Sequence, residues 1–198
     1  YRFPGVDDVR QLTQVRPRAV YTTRNGLTDD RVYHAFEDSR GDIWLGTNPS
    51  GQDVVTRWER RTGAFRRYST NDGLPSATDV HFAAANAFAE DASGHVWIGF
   101  AGGGLARFAA GVFTFFTVAD GLAAGEIRTL FFDSRGRLWI GSHAGGVSRA
   151  DTPDVARPQF RTYTVGDGLA SDSVRSISED RWGRIHLGTA RGVDRLDP

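Results

Sequence analysis

Short runs in which apolar residues fill most positions alternate along this chain with small turn segments, and the alternation recurs. Between residues 120 and 163 the order is clearest. Ile127, Thr129 and Phe131 interleave with Arg128, Leu130 and Phe132, and the run stops at Asp133-Ser134-Arg135-Gly136. This reads as a strand ending in a turn, because Asp at the first turn position bonds the backbone ahead of it and Gly at the fourth tolerates positive φ. Leu138-Trp139-Ile140-Gly141 follows, with large apolar groups at successive positions. Both faces of that strand need cover, which stacked sheets provide. Gly146-Val147-Ser148-Arg149 and Phe160-Arg161-Thr162-Tyr163 supply a third and a fourth strand. The pattern predicts a four-stranded antiparallel meander.

The unit is written four times. Gly-Leu pairs begin at Gly26, Gly73, Gly121 and Gly168, in steps of 47, 48 and 47 residues. A period of that length with strand-like content predicts the blades of a β-propeller, an all-β fold, rather than a helical solenoid. The turn recurs from Asp38 to Gly41, from Asp91 to Gly94 and from Asp180 to Gly183, and the second strand recurs around Trp44 and Trp97 and at His186, which stands where the other copies have Trp. These positions, with Asp133, Gly136 and Trp139, are read as structural. The expected blades are 22–68, 69–116, 117–163 and 164–198 completed by 18–21, with 1–17 an N-terminal extension or the remnant of a preceding blade. The last copy lacks a fourth strand, and Arg18-Ala19-Val20-Tyr21 stands before the first Gly-Leu where such a strand belongs. The four blades therefore form either a ring closed by N-terminal strand donation or an arc of a larger propeller.

Two irregularities interrupt the repeat. The second copy carries an insertion at 75–84, and the first has a longer connection at 48–53 between its second and third strands. In a propeller the connections that hold them open on one face.

Composition narrows the partners. The 24 basic residues balance the 24 acidic ones, which gives no overall field for nucleic acid or anionic lipid. With no cysteine, neither a disulfide framework nor a thiolate zinc site is expected. No apolar stretch reaches the roughly 20 residues that span a bilayer. Methionine is absent even at position 1, so we expect a piece of a longer chain.

Candidate chemistry is sparse. The Asp-x-x-Gly turns lack the alternating oxygens and distal Glu of a calcium loop. Gly102-Gly103-Gly104 precedes no helix that would make it a phosphate cradle. Arg57, Arg107, Arg149 and Arg195 recur once per copy, and are read as stems packed between blades and paired with Asp72, Asp120 and Asp167 rather than as an anion-binding ring. The histidines His34, His81, His95, His143 and His186 show no metal-ligand spacing, and His186 is read as a packed core position. No metal and no cofactor is expected. A Gly-x-Ser-x-Gly elbow, a paired-carboxylate signature and a nucleotide fingerprint are all absent from the sequence.

The Asp-Gly-Leu, Asp-x-x-Gly-x-Ile-Trp, Gly-Val-x-Arg and Phe-x-x-Tyr elements, most complete from Asp120 to Arg149 and from Asp167 to Arg195, resemble the two-component regulator propeller repeat of bacterial hybrid histidine kinases. The resemblance covers about 21–198. It implies a non-catalytic, periplasmic or otherwise extracytoplasmic sensor that binds a small molecule or oligosaccharide and signals to a kinase. A lyase or hydrolase propeller, similar in repeat style to streptogramin lyase, is the enzymatic alternative. A protein-interaction scaffold that self-associates through incomplete blade ends is another. Specificity is expected where the copies differ on the loop face, at Asn48, Asp79, His81, Phe100, Glu126, His143, Asp172 and Arg191.

Overall fold

A computed structural model of the chain describes residues 19–50, 53–74 and 84–197. The 1–17 segment, Arg18 and most of the second-copy insertion lie outside the described residues. Four antiparallel sheets follow one another along the chain, each a meander in sequence order. The first comprises β1 (Val32–Glu37), β2 (Ile43–Ser50), β3 (Asp53–Glu59) and β4 (Ala64–Ser69). The second comprises β5 (Ala85–Glu90), β6 (Val96–Phe100), β7 (Leu105–Ala109) and β8 (Val112–Phe116), and the third β9 (Ile127–Phe132), β10 (Leu138–Ser142), β11 (Val147–Ala150) and β12 (Phe160–Tyr163). The fourth has three strands, β13 (Val174–Glu179), β14 (Ile185–Thr189) and β15 (Gly192–Leu196).

The tripeptide before each Leu is a capped turn. Residues Thr70–Asp72, Val118–Asp120 and Val165–Asp167 each form one 3₁₀ turn, entered from Ser69, Thr117 or Thr164 and left through a glycine with φ of 89°, 95° or 104°. Asp72, Asp120 and Asp167 reach back to the backbone N–H of the capping residue at 2.8–2.9 Å. Such a reciprocal cap satisfies two otherwise orphaned donors. Asn25 closes the first copy in the same way, accepting from the Thr22 N–H at 3.0 Å, so the departure from Asp costs no hydrogen bond.

The opposite end of each sheet is tied by the repeated aspartate. Asp133 accepts from the N–H groups of Arg135 and Arg137 through one oxygen and from the Trp139 indole at 2.8 Å through the other. Asp38 and Asp91 make the same bonds, with Trp44 at 2.9 Å and Trp97 at 3.1 Å. Asp-x-x-Gly-x-x-Trp is thus one knot in which a carboxylate closes a turn and fixes the indole that fills the space between sheets. In the fourth copy His186 Nε2 lies 3.1 Å from Asp180, so the imidazole keeps the indole's bond. His186 is half-buried and not the packed core position expected from sequence.

Sheets stack in order: β5 lies on β1 and β2, β9 on β5 and β6, and β13 on β9 and β10. The glycine that closes each second strand allows this approach. A Cβ on Gly46 would collide with the Ala85 carbonyl, one on Gly99 with the Ile127 side chain, and one on Gly141 would crowd Val174. The core is three layers, one per junction, around the buried Trp44, Trp97 and Trp139.

Two expectations are corrected. The recurring arginines do lie over these indoles, with Arg57, Arg107 and Arg149 at 5.3–5.4 Å from the ring centres, but their polar partners are not Asp72, Asp120 and Asp167. Arg57 pairs with Asp42, Arg149 with Asp151 and Arg195 with Asp197, while Arg107 donates to the Pro153, Val155 and Ala156 carbonyls. The acids of the caps are spent on their own turns, although Asp120 also receives Arg157. The 48–53 connection is largely strand, because β2 and β3 run on past the other copies to a Ser50–Asp53 pair. Closure is not seen among the described residues, which is compatible with the arc: no packing of the inter-sheet kind joins the first sheet to the fourth, and Tyr21 lies against Trp58 and Phe65 of the first sheet.

Candidate functional site

At the end of the sheets away from the Asp–Trp knots, one backbone bond is made three times. The first residue of the turn after the second strand donates to the carbonyl of the residue before the first strand: Ala101 to Ala84 at 2.9 Å, His143 to Glu126 at 2.8 Å, and Ala190 to Ser173 at 3.0 Å. These bonds place the two connections side by side on one face. The backbone repeats there and the side chains do not.

Glu126 and His143 are therefore brought together. Glu126 sits half-buried ahead of β9; its Oε1 accepts from Asn86 Nδ2 of β5 at 2.8 Å, and its Oε2 accepts from Arg128 Nε and Nη2 at 3.2 and 3.0 Å. His143 is exposed, with Nδ1 3.3 Å from Ser173 Oγ, the residue before β13. Asn86, Glu126 with Arg128, and His143 with Ser173 thus form a polar path across three consecutive sheets. Arg175 stands in β13 at the position that Arg128 occupies in β9 and Asn86 in β5, and it is exposed. The path offers amide, carboxylate, guanidinium, imidazole and hydroxyl groups to one face.

The other sequence candidates fall elsewhere. Asp172 is half-buried beside this path and is used structurally, its carboxylate accepting from the Val165 N–H at 2.7 Å and its carbonyl from the Gly146 N–H at 2.8 Å. Arg191 is exposed at the turn of the fourth sheet, where its N–H donates to Thr189 Oγ1. It is not drawn to the path. Phe100 has no exposed surface and packs edge-on to Phe115 in the first core layer, which removes it as a ligand contact. Asn48 lies in β2, at the position of His143, and Asp79 and His81 fall outside the described residues. Asn86 and Arg128 lie on strands and so escape a reading confined to the connections; the same comparison along the first strand finds Tyr33, Asn86, Arg128 and Arg175 at one position, while Ser173 stands in a connection where its small side chain gives no signal of its own.

Charge perturbation concentrates at the knots instead. Burial works against the charge of Asp133, Asp91 and Asp180, but hydrogen bonds outweigh it and hold all three below the usual carboxylate range. They come from Trp139 and Arg137 to Asp133, from His95 and Trp97 to Asp91, and from His186 and Arg184 to Asp180. Burial lowers His34, whose ring lies 5.5 Å from that of Phe88. Among the described residues no group of three His, Asp or Glu side chains is placed to hold a metal ion. No described helix is long and apolar enough to cross a membrane.

The family model for the two component regulator propeller matches residues 26–48 and 121–144. The first and third units are thus similar to that repeat. Solved structures agree in fold. The extracellular domain of a protein described as a hybrid two component system from B. thetaiotaomicron superposes with a TM-score of 0.71 at 24% identity, over 93% of this chain and 24% of that one. Another from the same organism, described as a one component system, gives 0.69 at 22% identity, over 95% and 24%. The chain thus spans about a quarter of the length of those chains. Virginiamycin B lyase from Staphylococcus aureus is similar with a TM-score of 0.60 at 13% identity, over 92% of this chain and 58% of that one. No curated protein matches the sequence.

Proposed function

We propose that this chain is a ligand-sensing, non-catalytic part of an extracytoplasmic propeller in a bacterial two-component sensor, and that its ligand, a small molecule or oligosaccharide, lies on the face carrying Asn86, Glu126, Arg128, His143 and Ser173. The observation that carries the reading is the thrice-repeated backbone bond on that face. It holds Glu126 and His143 where the neighbouring copies have Ala84, Ser173, Ala101 and Ala190. A fold that needs only the backbone there leaves the side chains free for recognition. Paired donors and acceptors spread over three sheets suit a ligand rich in hydroxyl and carboxyl groups. The sensor neighbours support the signalling context.

The lyase reading draws on the fold shared with virginiamycin B lyase and on His143 as a base. Among the described residues, however, no carboxylate orients His143; its ring partner is the Ser173 hydroxyl. A general base is ordinarily held by a third group. The sensing reading is tested by thermal-shift screening of neutral and acidic oligosaccharides against the wild type, Glu126→Ala and His143→Ala. At least one ligand should stabilise the wild type and lose its effect on both variants, whose ligand-free melting should be unchanged. Stabilisation that survives both substitutions would place the ligand elsewhere.

A further inference from the structure

The first strands share a backbone feature that the sequence repeat does not spell. Between β1 and β2 the pairing steps from Val32–Thr47 to His34–Gly46, so Tyr33 is an extra residue on its strand. The same step runs from Ala85–Phe100 to Ala87–Gly99 around Asn86, and from Val174–Thr189 to Ser176–Gly188 around Arg175. In the third sheet it runs from Ile127–Ser142 to Thr129–Gly141 around Arg128. Four β-bulges thus stand in register, one in each sheet. A bulge bends its strand and re-aims the side chain of the extra residue.

The bulge asks for no particular side chain. None of the four extra residues has the positive φ that would favour glycine, and tyrosine, asparagine and arginine all serve. The residue just before it is constrained instead: Ala85, Ile127 and Val174 are buried against Gly46, Gly99 and Gly141 of the preceding sheet. Within two residues the strand passes from a position set by packing to one that packing leaves open.

First strands also lie where the sheets converge. β1 approaches β5, β5 approaches β9 and β9 approaches β13, whereas among the described residues no comparable approach joins β4 to β8 or β8 to β12. The extra residues therefore lie along the narrow edge of a fan. Arg128 has a sheet on either side and its side chain is still 35% exposed, so exposure at this register comes from the edge itself. Charge along the edge is uneven. Glu126 accepts from Asn86 of the second sheet and from Arg128 of its own, and carboxylate and guanidinium answer each other there. Arg175 is exposed and makes no ion pair or hydrogen bond among the described residues. The Asp172 carboxylate is bound to the Val165 N–H instead, and the Ser173 hydroxyl to His143. The face is balanced over the second and third sheets and carries a surplus positive charge over the fourth.

We infer, on the sensing reading above, that Arg175 is the carboxylate anchor of this face and that the ligand is an acidic oligosaccharide containing a uronate. The acid group lies over the fourth sheet at Arg175, and the sugar hydroxyls reach Asn86 and Glu126. A guanidinium presents a planar fork that meets a carboxylate through two parallel bonds. Arg175 has no internal bond to give up when it does so, whereas Arg128 would have to leave Glu126. The amide of Asn86 and the carboxylate of Glu126 supply the donors and acceptors that hydroxyl groups need.

The test is calorimetric titration of galacturonate, glucuronate and mannuronate trimers, each as the free acid and as the neutral methyl ester, into wild type, Arg175→Gln, Arg175→Lys and Glu126→Ala. At least one acid should bind the wild type about tenfold more tightly than its ester. Arg175→Gln should abolish that preference while leaving ester affinity and ligand-free melting at their wild-type values. Arg175→Lys, which keeps the charge and loses the fork, should retain part of it. Added salt should weaken the acid more than the ester. A preference for the acid that survives Arg175→Gln overturns the anchor. An ester that binds as tightly as its acid, and loses affinity on Glu126→Ala, overturns the acidic class and leaves the sensing reading standing. Binding of no trimer in either form also overturns the acidic class, and the wider oligosaccharide screen then decides the sensing reading by itself.

Discussion

The two ends of these sheets are built by the same repeat and spend it differently. At the knot end, Asp38, Asp91, Asp133 and Asp180 each accept from two backbone N–H groups and from the ring at the Trp position. Side chain and backbone are one device there, and neither varies without cost. At the loop end the backbone bond alone is kept, and Ala84, Glu126 and Ser173 exchange freely at one partner while Ala101, His143 and Ala190 exchange at the other. A repeat therefore conserves what holds the chain, which at one end includes the side chains and at the other does not.

The largest break should come from the indole. Trp97→Ala, which empties a fully buried site between the second and third sheets, is expected to cost about 3–5 kcal/mol in urea unfolding. Asp133→Ala leaves the Trp139 indole, two N–H groups and the Arg137 guanidinium without their acceptor, and is expected to cost about 3 kcal/mol, with loss of indole order in the near-UV spectrum. A smaller effect separates the ends by pH. Asp91, Asp133 and Asp180 titrate lower when folded than when unfolded, so their contribution is complete above about pH 4 and is lost as the pH falls through their depressed values. Melting temperature should fall steeply below that pH, and Asp133→Asn should blunt the fall. The smallest effect is expected at the loop end, where His143→Ala, at an exposed side chain, should change stability by less than about 0.5 kcal/mol.

Much of this contrast was legible in the sequence, because both the strand order and the Asp-x-x-Gly turns recur at fixed spacing. The carboxylate–indole bond was not, since a turn aspartate and a core tryptophan six residues apart each have a sufficient local explanation. The arginine partners were assigned to the wrong acids for a related reason: Asp72, Asp120 and Asp167 are as regular as the arginines but are consumed by their caps. Phe100 stands outside the repeat, but departure from the repeat does not separate a loop side chain from one that the sheet turns inward. Glu126 and His143 were found by the same criterion, and the bond that joins them belongs to the backbone, on which the side-chain pattern is silent.

The most direct test pairs Asp133→Asn with Glu126→Gln, two carboxylate-to-amide changes in one sheet, and measures unfolding free energy by urea titration. The account predicts a loss several-fold larger for Asp133→Asn, with Glu126→Gln close to wild type. Equal losses, or a larger loss at Glu126, would contradict the claim that the fold is held at the knot end and leaves the loop face free.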